Sequence, residues 1–157
     1  MALAATGEGH VLWLMKRAFS LQRRSIEDAM RAHGVNATQA SVLTQLLDVP
    51  GLSSSDLARR LQITAQAATV AVATLEDAGL VTRTDDAVHG RIRRCHLTKQ
   101  GHKVAEACVA DALEVEEKLL AVFDGQQRVM FAALLARFLR EPPPAPIRPP
   151  GGGRRRG

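Results

Sequence analysis

The chain has 157 residues, enough for one compact domain with a sizeable core. Hydrophobic residues make up 46% but aromatics only 3%, so the core must rest on Leu, Val, Ala, Ile and Met, a helix-favouring set. The net charge is +5, the two cysteines lack CxxC spacing, and no apolar run is long enough to span a bilayer; a disulfide scaffold, a zinc ribbon and a transmembrane protein are excluded.

In chain order, Val11, Leu12, Met15, Ala18, Phe19, Ile26, Ala29 and Met30 recur at three- and four-residue steps and predict a helix over about 8–33, stopped by Gly34. Asn36 caps a second helix with Gln39 as its box partner, burying Val42, Leu43, Leu46 and Leu47 and ending at Pro50-Gly51. Ser53 caps a third, with Asp56 in the first turn, where the helix dipole favours an anion, and Leu57, Ala58 and Leu61 inward. Gln62-Ile63 form a turn. Thr64 caps a fourth helix, Ala65 to Ala78, with Ala68, Val72 and Leu75 inward and Gly79 as its stop. Val81 to Thr84 and Ile92 to Leu97 read as hairpin strands around a tip at 85–90. Thr98 caps a fifth helix over about 99–122. Asp124 caps a sixth, with Gln127 in the box position and a stripe of Val129, Met130, Ala133, Leu134, Phe138 and Leu139. Pro142-Pro143-Pro144 ends it, and the Pro/Gly-rich remainder reads as a disordered basic tail.

Two capped helices joined by a tight turn, then a basic hairpin, describe a winged helix-turn-helix, whose second helix fits a DNA major groove. The expected fold class is mainly α (α+β). Charge agrees. Residues 54–103 carry eight basic and five acidic side chains, 104–141 carry four and seven, and the segment from Pro142 onward has four arginines and no acid. Positive charge thus falls on the winged segment and the tail, where phosphate would be met.

The chain resembles the multiple antibiotic resistance regulator (MarR) family of bacterial repressors. The matching residues are Asp56-Leu57-Ala58, Leu75-Glu76, Gly79-Leu80-Val81, Arg83, Arg91 and Leu97-Thr98-x-x-Gly101, preceded by Gly34-Val35-Asn36-x-x-Gln39. The resemblance covers about residues 10–140. It implies a homodimer paired by the terminal helices, with an N-terminal dimerisation helix (1–34), a winged DNA-binding domain (35–98) and C-terminal dimerisation helices (99–141), to which composition adds the tail (142–157). Two recognition helices would then enter successive major grooves about 34–36 Å apart, on a pseudo-palindrome in double-stranded DNA.

On the fourth helix Gln66 can bond adenine in a bidentate way, Thr69 follows one turn on, Thr74 is exposed, and Thr64 can meet a phosphate while capping. Each also reads as a solvated polar residue. Relatives commonly carry an Arg where this chain has Val70 or Thr74. This helix has neither Lys nor Arg, so phosphate contacts and DNA shape are expected to carry more of the affinity. In the family, an Asp-x-Arg triplet in the wing sends its Arg into the minor groove. The matching triplet is His89-Gly90-Arg91, which keeps the Arg but not the Asp, so the Arg is either held more loosely or oriented by another acid such as Asp85 or Asp86. Arg93 and Arg94 extend this cluster on opposite strand faces. Arg83, Arg59 and Arg60 are phosphate candidates, with pairing of Arg59 or Arg60 to Asp56 as the alternative.

Family members bind small aromatic or phenolic acids between the dimer helices and the winged domain. Trp13, Met15, Arg17 and His33 are the candidate lining here, with core packing as the competing reading. Peroxide-sensing relatives use a first-helix Cys that this chain lacks. Cys95 lies beside Arg94, which could lower its pKa, though a redox role is not the favoured reading; Cys108 reads as interface core. No phosphate loop, nucleophile elbow or HExxH motif occurs, so neither an enzyme nor a cofactor or metal is expected. The reading is a cytoplasmic, nucleoid-associated, sequence-specific repressor with no membrane association. A nonspecific architectural DNA binder and a dimeric protein-interaction module that has lost DNA binding stand as alternatives.

Overall fold

The structure is a computed structural model and describes residues 10–85 and 93–140. Its elements are α1 (Val11–Arg31), α2 (Ala37–Asp48), α3 (Ser54–Leu61), α4 (Ala65–Asp77), β1 (Val81–Asp85), β2 (Arg93–Leu97), α5 (Lys99–Leu119) and α6 (Gly125–Arg140). They follow the sequence reading in order and type. Ends differ by a few residues: α1 ends at Arg31, two residues before the expected end, and α5 ends at Leu119.

The caps explain the boundaries. Asn36 accepts from the Gln39 amide at 2.8 Å while Gln39 Oε1 accepts from the Asn36 amide at 2.8 Å. Ser53 and Asp56 form the same reciprocal box at α3. This goes further than the dipole role expected of Asp56, because its carboxylate accepts from both the amide (3.1 Å) and the hydroxyl (2.6 Å) of Ser53. Thr64 caps α4 by accepting from the Ala67 amide at 3.1 Å. Gly34 and Gly79 take positive φ where α1 and α4 must stop.

The described residues up to Leu119 form one compact unit and those from Leu120 onward a second. In the first, α2 packs against α1, α4, α5 and β2. Met30, Val42, Leu43, Leu46, Leu57, Val72, Leu75, Val81, Cys95 and Cys108 fill the core, and among the described residues no polar side chain is buried. The strands pair antiparallel, with Val81 opposite Leu97 and Arg83 opposite Cys95. The sequence did not announce a third participant. Leu52, just before α3, bridges Cys95: the Cys95 amide donates to the Leu52 carbonyl, and the Gly51 amide to the Cys95 carbonyl, each at 3.0 Å. The helix-turn-helix and the hairpin thus share main-chain hydrogen bonds.

The hairpin hands over to α5 through Leu97-Thr98-x-x-Gly101. The Thr98 hydroxyl donates to the Gly79 carbonyl at 2.8 Å and accepts from the Gly101 amide at 2.9 Å. A Cβ on Gly101 would stand 1.9 Å from the Leu80 carbonyl oxygen, so only glycine lets α5 start this close to the end of α4.

In the second unit Asp124 and Gln127 form the expected capping box, and Arg128 Nε donates to the carbonyls of Leu120 (3.1 Å) and Phe123 (3.3 Å). Phe123 stacks obliquely on Phe131 at 5.4 Å. No residue of α6 is buried: Val129, Met130, Leu134, Leu135, Phe138 and Leu139 are all exposed. In the first unit α1 likewise exposes Val11, Leu12, Leu14, Phe19 and Leu21. No helix among the described residues is long and apolar enough to cross a membrane.

Candidate DNA-binding site

The turn between α3 and α4 is made by Gln62, which takes a left-handed conformation (φ 53°), and by the Ile63 amide, which donates back to the Ala58 carbonyl at 3.1 Å. This sharp turn seats Ala68, Ala71, Val72 and Leu75 in the core. The opposite face of α4 therefore points outward. Gln66, Thr69, Val70 and Thr74 are exposed along it. Gln66, Val70 and Thr74 form one i, i+4, i+8 row. Asn36, Thr38 and Gln39, at the start of α2, flank that row and line a shallow groove with it and Thr64. The Asn36–Gln39 box was legible in the sequence, but its place beside α4 depends on tertiary packing.

The two threonines are partly committed. The Thr69 hydroxyl donates to the Ala65 carbonyl at 2.8 Å and the Thr74 hydroxyl to the Val70 carbonyl at 3.0 Å. Each hydroxyl has one proton, so outward both can only accept.

The basic candidates divide. Arg59 pairs with Asp56, as the sequence allowed, yet stays largely exposed. Arg60 turns to α2, donating to Gln45 Oε1 at 2.6 Å with Asp48 at 3.2 Å. Arg94 lies 3.6 Å from Asp56 and donates to the Gly51 carbonyl at 3.4 Å. Hydrogen bonds from Ser53, and then the Arg59 guanidinium, hold the Asp56 carboxyl below its usual range. Asp56 thus joins the α3 cap to side chains of α3 and β2. Arg93 is exposed, with Asp85 at 3.9 Å. Arg83, expected at phosphate, is instead engaged by Glu76 through both Nε (2.7 Å) and Nη2. That pairing lowers the Glu76 pKa and raises that of Arg83. Arg91, with His89, Gly90 and Asp86, lies outside the described residues, as do residues 154–156.

The effector candidates do not gather within one chain. The Arg17 guanidinium stacks over the Trp13 ring at 4.9 Å. Met15 lies about 200° around α1 from Trp13, and His33 lies beyond the helix end, about 27 Å or more along its axis. His33 Nε2 meets Asp111 Oδ2 of α5 at 2.8 Å, tying the end of α1 to α5. The expectation of a lowered Cys95 pKa is overturned. Its side chain is buried in β2, and desolvation raises its pKa against the opposing pull of Arg83. Burial likewise raises that of Cys108. Among the described residues no cluster of His, Cys, Asp and Glu could hold a metal ion.

Known proteins match this geometry. The family model described as MarR family matches residues 33–92. The HTH-type transcriptional repressor Rv2887 of Mycobacterium tuberculosis is 30% identical over 126 residues, spanning 80% of this chain and 91% of the repressor. The crystal structure of that MarR family protein in complex with DNA superposes with a TM-score of 0.69 at 26% identity, covering 82% of this chain and 96% of the other. Its complex with salicylic acid gives 0.69 at 28%, covering 88% and 99%. Fold, helix-turn-helix and these relatives agree: the chain belongs to the MarR family of transcription regulators, which act by binding DNA and not by catalysis.

Proposed function

We propose that this regulator is a repressor that binds a pseudo-palindromic operator as a homodimer, with α4 of each copy in a major groove. The observation that carries the reading is the outward row of Gln66, Val70 and Thr74 on a helix fixed by the Thr64 cap and the Gln62 turn. Gln66 presents both a donor and an acceptor to an adenine edge. Thr69, Thr74 and Thr64 supply acceptors. Arg59, Arg60, Arg93 and Arg94 are the proposed phosphate contacts, and Arg91 is assigned to the minor groove by its position in the sequence. α1 and α6 each expose several large apolar side chains, and a second copy of the chain is the proposed cover.

A small aromatic acid is the proposed effector. The salicylic acid bound by the mycobacterial relative supports this chemistry. So does the Trp13–Arg17 stack, an aromatic face beside a guanidinium able to meet a carboxylate. Release would follow from a change in the spacing of the two winged lobes. The absence of Lys and Arg from α4 favours a second reading, a nonspecific DNA binder.

Fluorescence anisotropy on the protein's own upstream DNA and on a scrambled duplex, at two salt concentrations, separates them. A preference of about a thousandfold or more is expected for an operator. Equal, salt-labile binding to both duplexes would replace the repressor reading with the architectural one.

A further inference from the structure

We propose that Val70 is a specificity-determining residue that reads the 5-methyl group of thymine, so that this protein selects A·T pairs by apolar contact at the centre of each recognition helix. The inference rests on the reading of α4 as the DNA-reading helix. Three observations carry it. Val70 is 58% exposed, on the row between Gln66 and Thr74, so its two methyl groups stand at the middle of the outward face and not at its rim. The hydroxyl protons of Thr69 and Thr74 are donated to the helix's own carbonyls, which leaves methyls and acceptor lone pairs on either side of Val70. The helix carries no cation with which to grip guanine O6 and N7.

The hydroxyl acceptors and the one amide of this face can bond either pair in the major groove, but its methyl groups find a partner only in the 5-methyl of thymine, and no cation is present to favour guanine. The face matches what A·T presents: the thymine methyl, with adenine N6 and N7 for Gln66. A lone exposed valine on a surface means little by itself. This one lies in a groove lined by Thr38, Gln66 and Thr74, on the face that the turn at Gln62 directs outward.

The test starts from duplexes selected by the full-length protein from a random pool. The best duplex is then remade with deoxyuridine for thymine within both half-sites, which removes the methyl groups and leaves the hydrogen-bonding edges unchanged. Wild type is expected to lose affinity about fourfold per contacted methyl, or about fifteenfold across two half-sites. Val70→Ala is expected to bind the thymine duplex more weakly and to bring the thymine-to-uracil ratio close to one. The substitution is exposed and helix-compatible, and an unchanged melting temperature confirms the fold. A selected duplex that wild type binds equally with thymine or uracil overturns the role of Val70 and leaves the operator reading standing. No selected duplex at all overturns both. An unchanged ratio in Val70→Ala moves the methyl contact to another residue and also defeats the proposal.

Discussion

Arg83 on β1 closes on Glu76 in the last turns of α4, its guanidinium giving two donors to one carboxylate oxygen. The side chains are only 20% and 30% exposed, and the pair ties β1 to α4. Glu76→Gln and Arg83→Ala are each expected to lower the melting temperature, and the double variant to fall no further than the worse single one. Because the Glu76 pKa is depressed in the fold, the stabilisation is present above the ordinary carboxylate range and is lost as pH falls through the folded value. The gap between wild type and Glu76→Gln should therefore shrink in acid, read by thermal melts from pH 7 down to 3. A gap independent of pH would show that the charge of Glu76 is not what matters.

Gly101→Ala places a methyl 1.9 Å from the Leu80 carbonyl oxygen, where backbone and not a flexible side chain must yield. A loss of about 2–3 kcal/mol is expected in urea unfolding, in the range of core overpacking. Gly125, whose added Cβ would meet nothing, serves as the control.

Gln66→Ala should leave the fold intact, since the side chain is exposed, and weaken operator binding by about 1–3 kcal/mol while scrambled DNA is bound as before. Arg93→Ala should weaken binding to both duplexes alike and flatten the slope of log affinity against log salt by about 0.9 for each phosphate that is no longer neutralised. Equal effects of the two substitutions on specificity would reverse these assignments.

Cys95 and Cys108 are both buried, and desolvation holds both thiols protonated beyond their usual range. Neither should react with a thiol-specific disulfide reagent at pH 8 within minutes in the native protein, and both should react at once in denaturant. Rapid native labelling of one thiol would reopen a redox role.

Phe138→Glu on the exposed face of α6 is expected to convert the proposed dimer to a monomer in sedimentation equilibrium, and to weaken operator binding with it. A monomeric wild type would remove the second copy from the proposal.

The residues that write their structure into nearest neighbours were legible. The capping pairs Asn36–Gln39 and Asp124–Gln127, the Thr64 cap and the stops at Gly34 and Gly79 act within four residues, so their spacing announces them. What was not legible is set by contacts across the chain. The Leu52–Cys95 bridge spans 43 positions between two stretches of ordinary composition, and His33–Asp111 spans 78. Arg83 looked like any basic wing residue until α4 brought Glu76 beneath it. The four effector candidates shared a helix in the sequence, but helical geometry separates Met15 and His33 from the Trp13–Arg17 stack.

The Leu52–Cys95 bridge has a mechanical consequence. It joins the entry to α3 to the base of the hairpin by main-chain hydrogen bonds, while Arg83–Glu76 pins the other strand to α4. The described strands of the hairpin are therefore tied to both α3 and α4. In the proposed dimer a further freedom is the distance and angle between the two winged lobes. An operator with one base pair inserted between its half-sites moves the second groove by about 3.4 Å and about 34°. The demand is then met by flexing between the two copies or by deformation of the DNA. Tolerance to operator spacing, less what the DNA contributes, gauges the compliance that an effector would have to exploit.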